Sequence, residues 1–339
     1  DPLGVPLFSQ NKINNTRSGT NPYVYPAVDW LSELFKKRTN NQRANFSVSG
    51  GGKVARYYLA GTFNQDNGVL KVDERNNFNN NIDLKSYLLR SNVNIDLTKT
   101  TEVGVKLYGT FDDYTGPIDG GETMYRNVMR SNPVRFPAYY PADEAHQYVR
   151  HIMFGNYDLA ANYLNPYAEM TKGYKDYSRS MMMAQFELEQ DLSMLTPGLK
   201  MQGMINTTRR SYYDVSRFYQ PFYYNAGSYD KRNDTYNISL LNENFGTDYL
   251  DYFEGPKEVT STSYIQASAA YNRTFDETHG VSGMLVFLMN NIVDANMGDL
   301  QRSLPHRNLG LSGRFTYSFD NRYFGEFNFG YNGSERFYK

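Results

Sequence analysis

Cysteine is missing from all 339 residues, which excludes disulfides, thiolate metal sites and a cysteine nucleophile. Long apolar runs are missing too. The longest, 284–289, falls far short of the ~20 residues that a membrane-spanning helix needs. Neither sign of charge is in excess: a formal net charge of −1 removes the electrostatic case for nucleic-acid binding, which rests on a concentrated basic surface. No Gly-x-Ser-x-Gly elbow and no His-Glu-x-x-His occurs, so nothing in the chain argues for catalysis, a metal or a cofactor. The opening Asp1-Pro2-Leu3-Gly4 has neither a basic start nor an apolar stretch behind it, and the chain stops at Phe337-Tyr338-Lys339. It reads as a section of a longer polypeptide.

What is present is an alternation of tight and long connections between ten strand-like segments. The tight joints are 50–53, 98–101, 195–198, 276–280 and 320–321, and the long ones are 64–85, 112–178, 211–259 and 290–307. Every second joint is short, so the tight turns fall at one end and the long loops at the other. Outer-membrane β-barrels have this polarity. The hairpin 86–111 alternates most cleanly: Val93, Ile95 and Leu97 share one face, and Asn92, Asn94 and Asp96 the other. After the turn, Val103, Val105, Leu107 and Phe111 alternate with Glu102, Lys106 and Thr110. Asp96, Glu102 and Lys106 would be poor occupants of a dry core and fit an aqueous lumen. Leu309, Leu311, Phe315 and Tyr317 repeat the pattern, and Asp320-Asn321 turns the chain into Tyr323, Phe327 and Phe329. The run 284–289 is apolar on both faces, which a covering element on its inner side would explain. Strands of about 9–12 residues suit a tilted membrane strand. A mean hydropathy of −0.66 is no objection, because only alternate residues face lipid. A soluble β-sandwich is the plain alternative.

Several motifs resemble one family. Pro26-Ala27-Val28-Asp29-Trp30-Leu31, Asn45-Phe46-Ser47-Val48-Ser49-Gly50-Gly51, Arg56-Tyr57-Tyr58 and Asn64-Gln65-Asp66-Asn67-Gly68 resemble the start of the barrel in SusC/RagA-type TonB-dependent transporters. Arg90-Ser91-Asn92-Val93-Asn94-Ile95-Asp96, Phe136-Pro137-Ala138-Tyr139-Tyr140-Pro141, Leu304-Pro305-His306-Arg307-Asn308 and Gly330-Tyr331-Asn332-Gly333-Ser334 follow in consistent order. The resemblance implies an all-β fold: an antiparallel transmembrane β-barrel segment, about ten of roughly 22 strands, with short periplasmic turns and long extracellular loops. Residues 1–44 would be a linker from plug to barrel with a short amphipathic helix, and 45–339 a partial barrel. The family also implies location in the outer membrane of a Bacteroidetes-type bacterium, a SusD-like lipoprotein lid, TonB acting through a plug domain, and oligosaccharide or peptide cargo. A complete ten-stranded barrel enzyme and a soluble glycan-binding β-protein are the competing readings.

Tyrosine, at 31 residues, supplies the candidate ligand contacts. Its ring can stack on a sugar while its hydroxyl bonds the rim. Tyr139 and Tyr140 in one loop, and Tyr212, Tyr213, Tyr219, Tyr223 and Tyr224 in another, are the candidates. Packing of the loops on themselves, or against a lid, would use the same rings. The stretch 29–35 predicts a helix with Trp30, Leu31, Leu34 and Phe35 on one face, followed by Lys36-Lys37-Arg38. Asp112, Asp113, Asp119 and Glu122 match no regular calcium loop and read as a solvated turn. His146, His151, His279 and His306 read as surface histidines, and Gly50-Gly51-Gly52-Lys53 as a hairpin turn rather than a phosphate loop.

Overall fold

The computed structural model describes residues 6–158 and 163–335. The two chain ends discussed above, Asp1–Gly4 and Phe337–Lys339, lie outside the described residues. In chain order the elements are α1 (Gln10–Ser18), α2 (Trp30–Leu34), β1 (Gln42–Gly51), β2 (Ala55–Asn67), β3 (Asp83–Asp96), β4 (Thr101–Gly116) and α3 (Gly120–Arg130). Then come β5 (Tyr139–Tyr140), β6 (Met153–Gly155), α4 (Pro166–Thr171), β7 (Gly173–Asp191), β8 (Leu199–Phe218), β9 (Phe222–Asp230) and β10 (Thr235–Leu240). The last are β11 (Asp251–Phe275), β12 (His279–Ala295), α5 (Leu300–Ser303), β13 (His306–Phe319) and β14 (Tyr323–Ser334).

Ten strands form one antiparallel sheet in the order β1-β2-β3-β4-β7-β8-β11-β12-β13-β14. Each strand pairs with the next in the wall, so the five tight turns stand at one end and the long connections at the other. Two of the turns use consecutive left-handed residues: Asp276 and Glu277 at φ 48° and 58°, Asp320 and Asn321 at 49° and 50°. Such turns match the twist of the strands they join. Aspartate and asparagine tolerate this backbone, but glutamate has no short polar side chain to offset the crowding of its Cβ. Glu277→Gly should therefore stabilise the wall by about 1 kcal/mol. A rise in the urea midpoint of refolded protein checks this; no rise would show that the turn carries no strain.

The register divides the wall into two faces. One cross-strand row reads Tyr57, Val93, Val105, Phe186, Ile205, Ile265, Met289, Leu309. The side chains of this face do not converge on a dry centre: Leu107 is 50% exposed, Ile205 55% and Phe327 62%. The opposite face carries Arg56 between Asp96 and Glu102 at 3.2 and 3.1 Å, and Lys106 on Glu187 at 2.6 Å. An apolar face left open and a polar face laced with ion pairs is the inverse of a soluble sandwich, whose apolar faces meet. The inner side of 284–289 is open as well, with Met284 half exposed, so no described part of this chain covers it.

Two expectations need correction. The strands are longer than 9–12 residues, reaching 25 in β11, and the long connections shrink to 68–82, 117–172, 219–250 and 296–305. Above the apolar band the backbone ladder continues while the side-chain alternation fades, so hydropathy marks only the lower part of each strand. The helix at 29–35 forms only over Trp30–Leu34, with Asp29 capping it. Trp30 and Leu34 are buried, whereas Leu31 is exposed and Phe35 leaves the helix to bridge Leu70.

The dry core lies at the loop end. Trp30, Leu34, Leu70, Met124, Val128, Phe136, Phe154 and Met170 bury one another there, drawn from three separate stretches of chain. Beside it β10-β9-β6-β5 form a second sheet, in which β6 runs parallel to β9 and so ties the segment 117–172 to 219–250. β1 enters the wall from this same end. The segment expected as a linker is packed here: Trp30 donates to the Asn132 carbonyl, and Val28 N to the Pro133 carbonyl at 2.8 Å.

Candidate functional site

The loop-end cap is held by a few buried polar side chains. Asn165 is fully buried; its amide nitrogen donates to the Ala138 and Gly155 carbonyls, both at 2.8 Å, while its oxygen accepts from Tyr167 N and Ala168 N at the start of α4. One side chain thus caps a helix and joins β5 to β6. Asp73, from the 68–82 connection, accepts from Arg75 Nε at 2.9 Å, Arg75 Nη2 at 2.6 Å and the Tyr167 hydroxyl at 2.7 Å. Burial pushes the Asp73 carboxyl up, but the hydrogen bonds from Arg75 and Tyr167 outweigh it and hold the group below the usual carboxylate range. The Arg75 guanidinium also lies 4.2 Å from the Tyr139 ring centre.

The seven candidate tyrosines separate into three settings. Tyr140 and Tyr224 are buried in the second core beside Met153 and Ile238, where the Tyr140 hydroxyl accepts from Ala226 N and the Tyr224 hydroxyl pairs with His151 Nε2 at 2.9 Å. Tyr139, Tyr219 and Tyr223 are partly buried against the first core. Burial pushes the Tyr219 hydroxyl up to about 12, and it donates to the Thr171 carbonyl. Tyr212 and Tyr213 belong to β8 rather than to a loop, on opposite faces of the wall: Tyr212 inward, Tyr213 outward and 52% exposed.

Around Tyr212 the inner face gathers groups of both charges. Asp112 of β4, Arg179 of β7, Tyr212 of β8 and Glu258 of β11 form one cross-strand row. The row beneath it is Thr110, Met181, Arg210 and Thr260. Above it, Tyr114 and Tyr177 stack at 4.5 Å with an interplanar angle of 11°, and Tyr177 lies 5.8 Å from Tyr212. The residues of the two rows line a cleft of ≈ 670 Å³. Arg179 approaches the Tyr177 and Tyr212 rings at 5.8 and 5.9 Å. Among the described residues Asp112, Arg179, Arg210 and Glu258 make no ion pair. Open charges of both signs beside flat rings can hold a zwitterionic or hydroxyl-rich ligand. Sequence reasoning did not find Arg179, Arg210 or Glu258, although a signal existed. Carrying the inner-face parity of Glu187 and Glu189 back along β7 reaches Arg179, and that of Gln202 and Asn206 along β8 reaches Arg210.

The acidic group does not gather. Asp112 points inward and Asp113 outward on β4, while Asp119 precedes α3 and Glu122 within it pairs with Arg126, so a helix stands where a turn was expected. Among the described residues no three His, Cys, Asp or Glu side chains come together as a metal site. His151 is less of a surface residue than expected: it stacks on Phe222 at 3.9 Å, and burial lowers its basicity.

No family model matches the chain, and no curated protein matches it in sequence. Solved structures do. "Structure of the RagAB peptide transporter" is similar over 97% of this chain and 36% of that one, with a TM-score of 0.58 and 15% identity. The RagAB peptide importer in its "closed-closed" and "open-open" states gives TM-scores of 0.55 and 0.55 at 14% and 15% identity, over 92% and 91% of this chain and 33% of each of those. The chain thus spans about a third of the length of these structures. The likeness establishes the fold: an antiparallel ten-stranded wall of the kind found in these transporters, bearing its long connections at one end.

Proposed function

We propose that the chain is a wall section of an outer-membrane, TonB-dependent importer of the SusC/RagA type, taking up oligopeptides or oligosaccharides received beneath a SusD-like lipoprotein lid. The observation that carries this reading is the two-faced sheet: apolar side chains stay exposed on one face across ten strands, while charges line the other. A bilayer would cover the first face and water fill the bore behind the second. The open inner patch at Met284, Val286 and Leu288 gives an N-terminal plug a surface to pack on, and TonB would act through that plug. The packed cap, including 6–41, forms the outward-facing mouth.

Tyr212, Arg179 and Arg210 are the proposed ligand contacts, with Tyr139, Tyr140, Tyr219, Tyr223 and Tyr224 holding the mouth in shape and Tyr213 facing the membrane boundary. In the intact protein, Arg179→Gln with Arg210→Gln should weaken capture of a labelled acidic oligopeptide by about 10- to 100-fold, each arginine contributing a charge-assisted bond. Tyr212→Ala should cost about tenfold for a peptide or a glycan. Unchanged capture in both variants would remove the cleft from the transport path.

A further inference from the structure

We infer that the outer face carries a site for one membrane lipid whose phosphate headgroup has a net negative charge, the headgroup on Arg209 and an acyl chain in a groove running away from it. This rests on the proposed embedding of the wall in a bilayer. The groove, ≈ 820 Å³, is lined almost wholly by carbon. Ser91, Gly109 and Ala184 leave its floor low, and Leu107, Phe111 and Met182 stand along it. It follows the cross-strand row Gly61, Leu89, Gly109, Met182, Arg209.

That row climbs. Gly61 lies six residues beyond Ala55 at the turn end of β2 (61 − 55), Gly109 eight beyond Thr101 (109 − 101) and Arg209 ten beyond Leu199 (209 − 199). On strands tilted by about 40° those four residues raise the Arg209 end by roughly 10 Å. The groove therefore begins deep in the apolar band and ends at its upper edge, where the row continues into Ser261. A lipid is arranged in the same sense, tail deep and headgroup shallow.

Charge supplies the second argument. Other cations on the upper outer face have partners: Lys85 with Asp83 at 3.2 Å, Arg217 with Asp176 at 3.1 Å, Lys257 with Glu254 at 2.5 Å and Arg307 with Glu335 at 3.2 Å. Among the described residues the Arg209 side chain has no ion pair, hydrogen bond or ring contact, and it is exposed. One outward row above, the Ser180 and Ser211 hydroxyls bond each other at 2.7 Å, which leaves one hydroxyl proton to donate to a phosphate. A guanidinium left open at the end of a greasy trough suits an anionic headgroup, which it can grip with two parallel bonds.

The test is native mass spectrometry of the intact protein released from nanodiscs holding equal phosphatidylglycerol and phosphatidylcholine. Wild type should retain phosphatidylglycerol in preference. Arg209→Gln should lower that retention about tenfold, the loss of one charge-assisted contact, while Arg209→Lys keeps part of it. Ala184→Phe, which fills the groove floor, should lower retention of both lipids. Normal insertion with no preference in wild type, or with equal retention in Arg209→Gln, would overturn the site and leave the wall reading intact. Failure to enter nanodiscs at all would overturn both.

Discussion

Arginine at Ile205 is expected to cost about 2–4 kcal/mol of membrane stability, while arginine one residue on, at Asn206, costs close to nothing. Ile205 lies on the outer face, six residues above Leu199 at the turn end (205 − 199), or about 15 Å up a tilted strand, near the middle of an apolar band ~25 Å tall. Its row neighbours, Phe186 and Ile265, are apolar, so a guanidinium there has hydrocarbon on every side. Asn206 lies on the opposite face, which the proposed reading makes the bore; its amide donates to Gln185 Oε1 at 2.9 Å, and a longer cation there would extend into water. The penalty corresponds to about a 30- to 700-fold shift in the folding equilibrium. Urea titration of the protein refolded into vesicles measures it for both variants. Equal costs at the two positions would mean that the faces are not a lipid side and a water side.

The second large effect concerns the cap. Asp73→Ala removes the acceptor shared by Arg75 and Tyr167, stranding a buried hydroxyl and a half-buried guanidinium. The Arg75 side chain is 42% exposed and can turn to water, so the stranded Tyr167 hydroxyl dominates the cost, about 2–3 kcal/mol. The wall should stay folded, since its ladder does not pass through Asp73. Hydrogen exchange in α4 should therefore quicken by about 100-fold while exchange in β3 and β4 is unchanged. The same carboxylate sets a pH dependence. Its native pKa lies below the ordinary value of about 4, so its contribution is fully present above that value and is lost as pH falls through the native one. Acid should loosen the cap in wild type below about pH 4, and Asp73→Asn should abolish that step. A cap that opens at the same pH in both proteins would assign the transition to another group.

How much was legible in advance follows from how local each signal is. The turns at 98–101, 276–280 and 320–321 and the faces of β3, β4, β13 and β14 rest on neighbouring residues: side chains of a strand alternate with period two, and Asp-Asn marks a left-handed turn. α1 carries no periodic signal in its nine residues, QNKINNTRS, which bear no apolar stripe; Ser9 and Gly19 define its ends through caps instead. The upper parts of β8 and β11 read as loop in the sequence because Ser211–Phe218 and Asp251–Val259 show no clean alternation. Their hydrogen bonds run to each other, across a separation that no local pattern reports.

By itself, then, the amino-acid order determined the wall: which residues turn, which face is apolar, and that one end carries the long segments. Only the tertiary structure decided what those segments do. Trp30, Leu70, Phe136 and Phe154 meet through chain folding rather than spacing, as do Asp73 and Tyr167, and strand pairing sets Asp112, Arg179 and Glu258 in one row. Strand periodicity is imposed by backbone geometry residue by residue. A cap core or a binding cleft is instead a coincidence in space of groups far apart in sequence, fixed only when the strands beneath them pair.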